Sequence, residues 1–203
     1  SNRLTITDEI TNLSASPAEM ELLYHTNFGR PFLEAGARFV AAVREVAPRN
    51  TRAATGIDDW QIYGPPQLGY EEQVYFLLPA TDDEGNTIAM LQNAAADLGV
   101  SLSFNVAQLP CFSLWKNTQA EADGCVTGLE PSTDFPNMRT FEREQERVVT
   151  LPPGGSYVAE LQIAVHNTAD SVAETQRQIA AIQGELAPIV HTKPHARFAP
   201  TDD

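Results

Sequence analysis

No run of about 18 consecutive apolar residues occurs in this 203-residue sequence, so no segment has the makings of a membrane-spanning helix. Basic residues are also scarce. Thirteen Lys and Arg face 27 Asp and Glu, a formal charge of −14, which argues against a polyanion-binding surface and makes nucleic acid and anionic membranes unfavourable partners. The only two cysteines, Cys111 and Cys125, do not form a Cys-x-x-Cys pair. Neither a disulfide framework nor a zinc knuckle is expected from them, and two buried thiols suit a reducing, cytoplasmic setting. The opening residues, Ser1 to Thr7, lack a secretory apolar segment. A phosphate loop, His-Glu-x-x-His, Gly-x-Ser-x-Gly and a glycine fingerprint opening a helix are all missing. Nucleotide, zinc-protease and serine-hydrolase chemistry lose their support, and no cofactor or metal is expected.

What is present is an ordinary globular composition, 42% hydrophobic and 20% charged, of a length that suits one domain or slightly more. Apolar and polar residues alternate in short runs bounded by Gly, Pro, Asn or Asp. The clearest run is Val100 to Val106, with Val100, Leu102, Phe104 and Val106 on one face and Ser101, Ser103 and Asn105 on the other. Tyr157 to Val165 repeats it after the turn Pro152-Pro153-Gly154-Gly155, and weaker versions occupy Leu4–Thr7, Met20–His25, Gln73–Leu78, Thr87–Gln92 and Arg147–Leu151. Many short antiparallel strands predict an all-β fold, an antiparallel β-sandwich over residues 1–166.

Three segments break that rhythm. Val40 to Tyr63, rich in Arg, Ala, Asn and Asp, reads as a long irregular connection, and Asp82-Asp83-Glu84-Gly85-Asn86 as a solvated hairpin tip. Val172, Ile179, Ile182 and Leu186 share one stripe of a C-terminal helix over 167–188, with Ser171 and Glu174 as a capping box and Pro188 as its stop. Residues 189–203 read as a flexible tail, in which Pro194 keeps His191 and His195 from the one-faced spacing of a specific metal site.

A few residues suit acid–base work on a neutral, hydroxyl-rich ligand. His25 ends the run Glu21-Leu22-Leu23-Tyr24 on the face opposite Tyr24, where an imidazole is either a structural hydrogen-bonding group or a catalyst. Glu130 sits between an apolar strand and a Pro-rich turn. There it is either a turn-stabilising acid or a semi-buried base with a raised pKa.

Four landmarks then occur in order: Tyr24-His25-Thr26-Asn27-Phe28-Gly29, Gly69-Tyr70-Glu71-Glu72-Gln73-Val74-Tyr75-Phe76, Leu109-Pro110-Cys111-Phe112-Ser113-Leu114-Trp115-Lys116-Asn117 and Gly128-Leu129-Glu130-Pro131. From about residue 3 to about residue 165 the chain resembles the second half of aldose 1-epimerases, the galactose mutarotase-like superfamily, and is closer to its less characterised branch than to the galactose enzymes. The resemblance implies a supersandwich lacking its N-terminal strands, with His25 as acid and Glu130 as base. Where that family has an Asp-His-Asn-like segment this chain has Glu71-Glu72-Gln73, so the carboxylate that grips sugar hydroxyls is either Glu71 or Glu72. Either a preceding segment or another copy of the chain is expected to complete the sheet.

The implied activity is anomer interconversion of a monosaccharide or sugar derivative by ring opening at C1. Trp115 would stack on the pyranose, and Asn27, Lys116 and Glu72 would hold hydroxyls, with Trp60 and Tyr63 as a possible rim. Two other readings stand beside it: a non-catalytic carbohydrate-binding protein on the same scaffold, and an assembly module acting through the C-terminal helix.

Overall fold

The computed structural model describes residues 2–201. In chain order, β1 (Arg3–Thr11), β2 (Ala18–Met20), β3 (Thr26–Phe28), β4 (Arg38–Ala41) and β5 (Val43–Pro48) lead to the single-turn helix α1 (Thr51–Ala54). Next come β6 (Gln73–Pro79), β7 (Asn86–Gln92), β8 (Gly99–Asn105), β9 (Cys111–Asn117) and β10 (Val126–Ser132). Helix α2 (Arg139–Glu144), β11 (Val149–Leu151), β12 (Ser156–His166), helix α3 (Ala169–Gln183) and β13 (Ile189–Val190) follow.

The strands make the expected antiparallel sandwich. One sheet runs β1-β12-β8-β7-β4 and the other β13-β5-β6-β9-β10-β3, while β11 and β2 form a separate ribbon. Alternation decides what faces inward: Val100, Leu102 and Phe104 of β8 and Leu161 of β12 meet Tyr75 and Leu77 of β6 and Phe112 and Leu114 of β9 in the core between the sheets. The six-stranded sheet also buries part of its outer face. Ala47, Val74, Phe76 and Cys111 lie there under Phe135, Phe198 and Ala199, so β6 is an almost unbroken apolar run rather than an alternating one.

Val40 to Tyr63 is not an irregular connection. It contains β5, the second half of β4, α1 and a 3-10 turn at Ile57–Asp59. The strands escape period two because the register slips between Val43 and Glu45, a bulge that throws the inward and outward sides out of phase. Trp60 and Tyr63 close the segment as core residues, 7% and 1% exposed, rather than as a rim. Nor is the acidic turn a hairpin tip. It carries the chain from β6 in one sheet to β7 in the other, and Asp82 Oδ1 accepts from the backbone N–H groups of Glu84 and Asn86 at 3.0 and 2.8 Å. These bonds hold the Asp82 carboxyl below the usual range.

Helix α3 begins one turn earlier than a Ser171 cap would place it: Thr168 is the N-cap, its hydroxyl accepting from Ser171 N–H. It ends at Gln183, before Leu186 and Pro188, where Gly184 takes φ +53°. Val172 and Ile179 pack on Ala42, Ala80 and Met90, docking the helix on the sandwich.

The segment expected as a flexible tail is docked as well, as far as the described residues reach. Ile189–Val190 adds a parallel strand to β5, and both His191 Nε2, at 2.6 Å, and the Arg197 guanidinium engage the Glu45 carboxylate. Phe198 is wholly buried against Phe135. A buried acid on a sheet edge supplies a partner that tail composition does not reveal.

Candidate active site

The sheet register gathers the polar candidates on the outer face of the six-stranded sheet. Across β9 and β10, Trp115 lies opposite Gly128 and Ser113 opposite Glu130, while Val74 of β6 lies opposite Trp115. Directly opposed residues share a face, so these side chains belong to one surface. Here an open pocket of about 320 Å³ forms. Leu23, Val74 and Pro136 supply its apolar lining, and His25, Arg49, Glu72, Trp115 and Glu130 its polar and aromatic lining.

His25 does not sit within a strand. Leu23 makes an isolated bridge to Ser132, Tyr24 N–H donates to Pro131 C=O at 3.1 Å, and pairing resumes only at Thr26 opposite Leu129. His25 lies in the gap between two anchored points, so its ring projects over β10, half exposed. Nε2 lies 3.0 Å from Glu130 Oε1. The approach has ion-pair distance without hydrogen-bond alignment, since Oε1 has no hydrogen-bond partner within the chain.

Glu130 is 3% exposed. Burial, and secondarily the nearby Glu72 charge, pushes its carboxyl up to about 7. Its seat depends on a missing side chain: a Cβ on Gly128 would lie 2.3 Å from Oε1. Trp115 stands edge-on to His25 with centroids 5.4 Å apart, and its Nε1 donates to Glu72 Oε2 at 2.7 Å. Glu72 is therefore the pocket carboxylate. Glu71 pairs with Arg52 at 3.6 Å and does not line the pocket.

Two other candidates lie elsewhere. Asn27, opposite Gly128 on the edge strand β3, is on the same sheet face but outside the pocket lining. Lys116 is a clear correction, because it alternates with Trp115 and points into the core. Its Nζ donates to Trp60 C=O at 3.0 Å and Ile62 C=O at 2.8 Å, and lies 4.8 Å from the Tyr63 ring centroid. Burial pulls its ammonium down to about 8. Lys116→Met is expected to leave the two carbonyls unpaired and destabilise the fold by roughly 2–4 kcal/mol, read as a lowered Tm. An unchanged Tm would show that the strap is dispensable.

Arg49 is a pocket residue that sequence reasoning missed. Its Nη1 is 4.0 Å from Glu72 Oε1. The only signal for it in the sequence is its place one residue beyond β5, inside the stretch whose composition suggests an irregular connection. Larger hollows lie on the outer face of the other sheet, about 400 Å³ beside Ser103 and about 330 Å³ beside Ser101 and His166. Among the described residues, neither holds a contacting His–carboxylate pair. Also among the described residues, no group of three or more His, Cys, Asp or Glu is placed to hold a metal ion, and no helix is long and apolar enough to cross a membrane. Cys111 and Cys125 are free thiols, the first buried and the second half-buried.

Comparison with known proteins places this site in context. A family model described as a domain of unknown function (DUF4432) matches residues 1–165. No curated protein matches the chain. Among solved structures, a "putative aldose 1-epimerase" from Klebsiella pneumoniae is 38% identical with a TM-score of 0.93, over 96% of this chain and 50% of that one. A galactose mutarotase-like protein from Clostridium acetobutylicum is 20% identical with a TM-score of 0.57, over 81% of this chain and 52% of that one. A galactose mutarotase related enzyme from Lactobacillus acidophilus is 15% identical with a TM-score of 0.56, over 83% and 59%. The last two show likeness of fold. The chain spans about half the length of the Klebsiella protein.

Proposed function

The chain belongs to the DUF4432 family, and from that premise and the geometry of its pocket we propose that it is an aldose 1-epimerase-like isomerase acting on the anomers of a free monosaccharide or sugar derivative. The observation that carries this reading is the meeting of His25 and Glu130 at 3.0 Å in one pocket walled by Trp115.

The reaction needs one group to take the anomeric hydroxyl proton and one to protonate the ring oxygen. Glu130, as carboxylate, takes the proton from O1, the C1–O5 bond breaks, and His25, as imidazolium, gives its proton to O5. The open aldehyde turns about C1–C2. Closure on the other face runs the transfers backwards, so the pair ends with the protons it began with. A buried carboxyl near 7 suits this task, because it both accepts and returns a proton close to neutral pH. Trp115, held edge-on by Glu72, offers its face to the apolar side of a pyranose, and Glu72 and Arg49 are within reach of hydroxyls. A further stretch of polypeptide, or a second copy, is expected to pair the outer edges of β1 and β3 and extend the cleft.

The test is anomer exchange of pure sugars, followed by polarimetry and by saturation-transfer NMR, with His25→Ala as the control. Exchange above the buffer rate that disappears in His25→Ala supports the assignment. Sugar binding with no exchange across a broad panel would leave only a carbohydrate-binding role.

A further inference from the structure

Two buried side-chain oxygens among the described residues lack a hydrogen-bond partner within the chain: Glu130 Oε1 and Ser113 Oγ. The β9–β10 register sets their residues directly opposite each other, with Cβ atoms roughly 4.5–5.5 Å apart. Ser113 is 0% exposed, on the face it shares with Cys111 and Trp115. Packing alone has no use for a hydroxyl there, since alanine would occupy the position without an orphaned polar group. Two orphaned oxygens on directly opposed residues of one sheet face instead provide the polar partners that an enclosed water requires.

We propose that Ser113 is a positioning residue for Glu130: its hydroxyl holds one enclosed water that donates to Glu130 Oε1 and keeps the carboxylate beside His25. The proposal rests on the reading of Glu130 as the base. A buried carboxylate is costly without a donor, and neither Trp115 nor Arg49 supplies one here, because both are directed at Glu72. The water fills that role when Glu130 is charged and turns to accept when it is protonated, so one site serves both states of the base.

The charged and titratable groups around Glu130 come from every neighbouring element. His25 precedes β3, Glu72 precedes β6, Arg49 follows β5, and the Cys111 thiol of β9, pushed up to about 12 by burial, stays neutral. All four are retained in a Ser113 variant, so a change in Glu130 titration reports the hydroxyl.

The experiment is a 13C NMR titration of side-chain carboxyls, with Glu130 assigned through Glu130→Gln. Ser113→Ala is expected to raise the Glu130 midpoint by roughly half to one pH unit by removing a donor to the charged form. The acidic limb of any anomerase pH profile should move with it, and Ser113→Thr, which keeps the hydroxyl, should restore both. Ser113→Cys, close in volume and a weaker donor, should shift the midpoint the same way if Ser113→Ala does not fold. A crystal structure should place a water within hydrogen-bond distance of both oxygens. An unmoved midpoint, or both oxygens dry in well-resolved density, overturns the proposal. A moved midpoint in a protein that exchanges no anomers would instead reject the catalytic reading and leave the Ser113–Glu130 link standing.

Discussion

Glu130→Gln is expected to slow anomer exchange by roughly 10²–10⁴-fold, the usual worth of a positioned acid or base, while making the protein more stable at pH 8. Both effects have one cause. The Glu130 carboxyl is raised from 4.5 to about 7 because folding buries it and sets it near Glu72. The folded form therefore holds the proton more tightly than the unfolded chain. Stability attributable to this group is complete below about 4.5, falls as pH rises through about 7, and is flat above, an effect of up to about 3 kcal/mol. Asp134, raised to about 8 by burial and by the neighbouring Glu21 carboxyl, acts in the same direction. His166, lowered by burial and by Arg3, acts in the opposite direction below its ordinary pKa. Thermal melts from pH 5 to 8, below the range in which the Lys116 ammonium, lowered to about 8, acts in the opposite direction, should show wild type losing Tm as pH rises and the Gln variant losing less. A Gln variant that melts lower than wild type at pH 8 would mean that Glu130 is held by favourable partners and is no poised base. In wild type, exchange should rise with pH through about 7 as Glu130 ionises.

Gly128→Ala is expected to cost nearly as much activity, roughly 10²-fold or more, without replacing either of the proposed proton-transfer residues. The added Cβ would fall 2.3 Å from Glu130 Oε1 and 3.2 Å from Trp115 Cε3. Something must shift, and the end of the Glu130 side chain is the softest neighbour. The carboxyl is then displaced from His25 while the strands stay paired, so the stability change should stay within roughly 1–3 kcal/mol. A double-mutant cycle separates this from general damage. On a Glu130→Gln background the alanine should cost little further activity, because the group it displaces is already disabled. Fully additive losses would show that Gly128 acts on something other than the base.

Much of the fold was legible because strands print their burial directly into the chain. The Val100–Val106 run and the stripe of Val172 and Ile179 went where their periods placed them. The acid and base candidates were legible as residue types beside recognisable neighbours. Failures clustered where the pattern was interrupted by geometry. The Val43/Glu45 bulge hid β5, and with it Arg49, because one extra residue inverts the alternation. His25 reads as a strand residue in the sequence because pairing on both sides of it looks continuous in one dimension.

Composition, charge and period two were enough to specify a sandwich of antiparallel strands and to turn attention from polyanions toward a neutral, hydroxylated ligand. Which sides of those strands line the pocket was decided in three dimensions. Trp115 and Lys116 are adjacent and equally plausible on paper, yet one walls a pocket and the other straps the core. Likewise Glu72 reaches the pocket, Glu71 does not, and the tail folds back onto Glu45. Alternation records that neighbours part to opposite faces. Only long-range pairing, which joins residues a hundred positions apart and is inverted by a one-residue slip, determines which face meets the second sheet and which is left to hold a ligand.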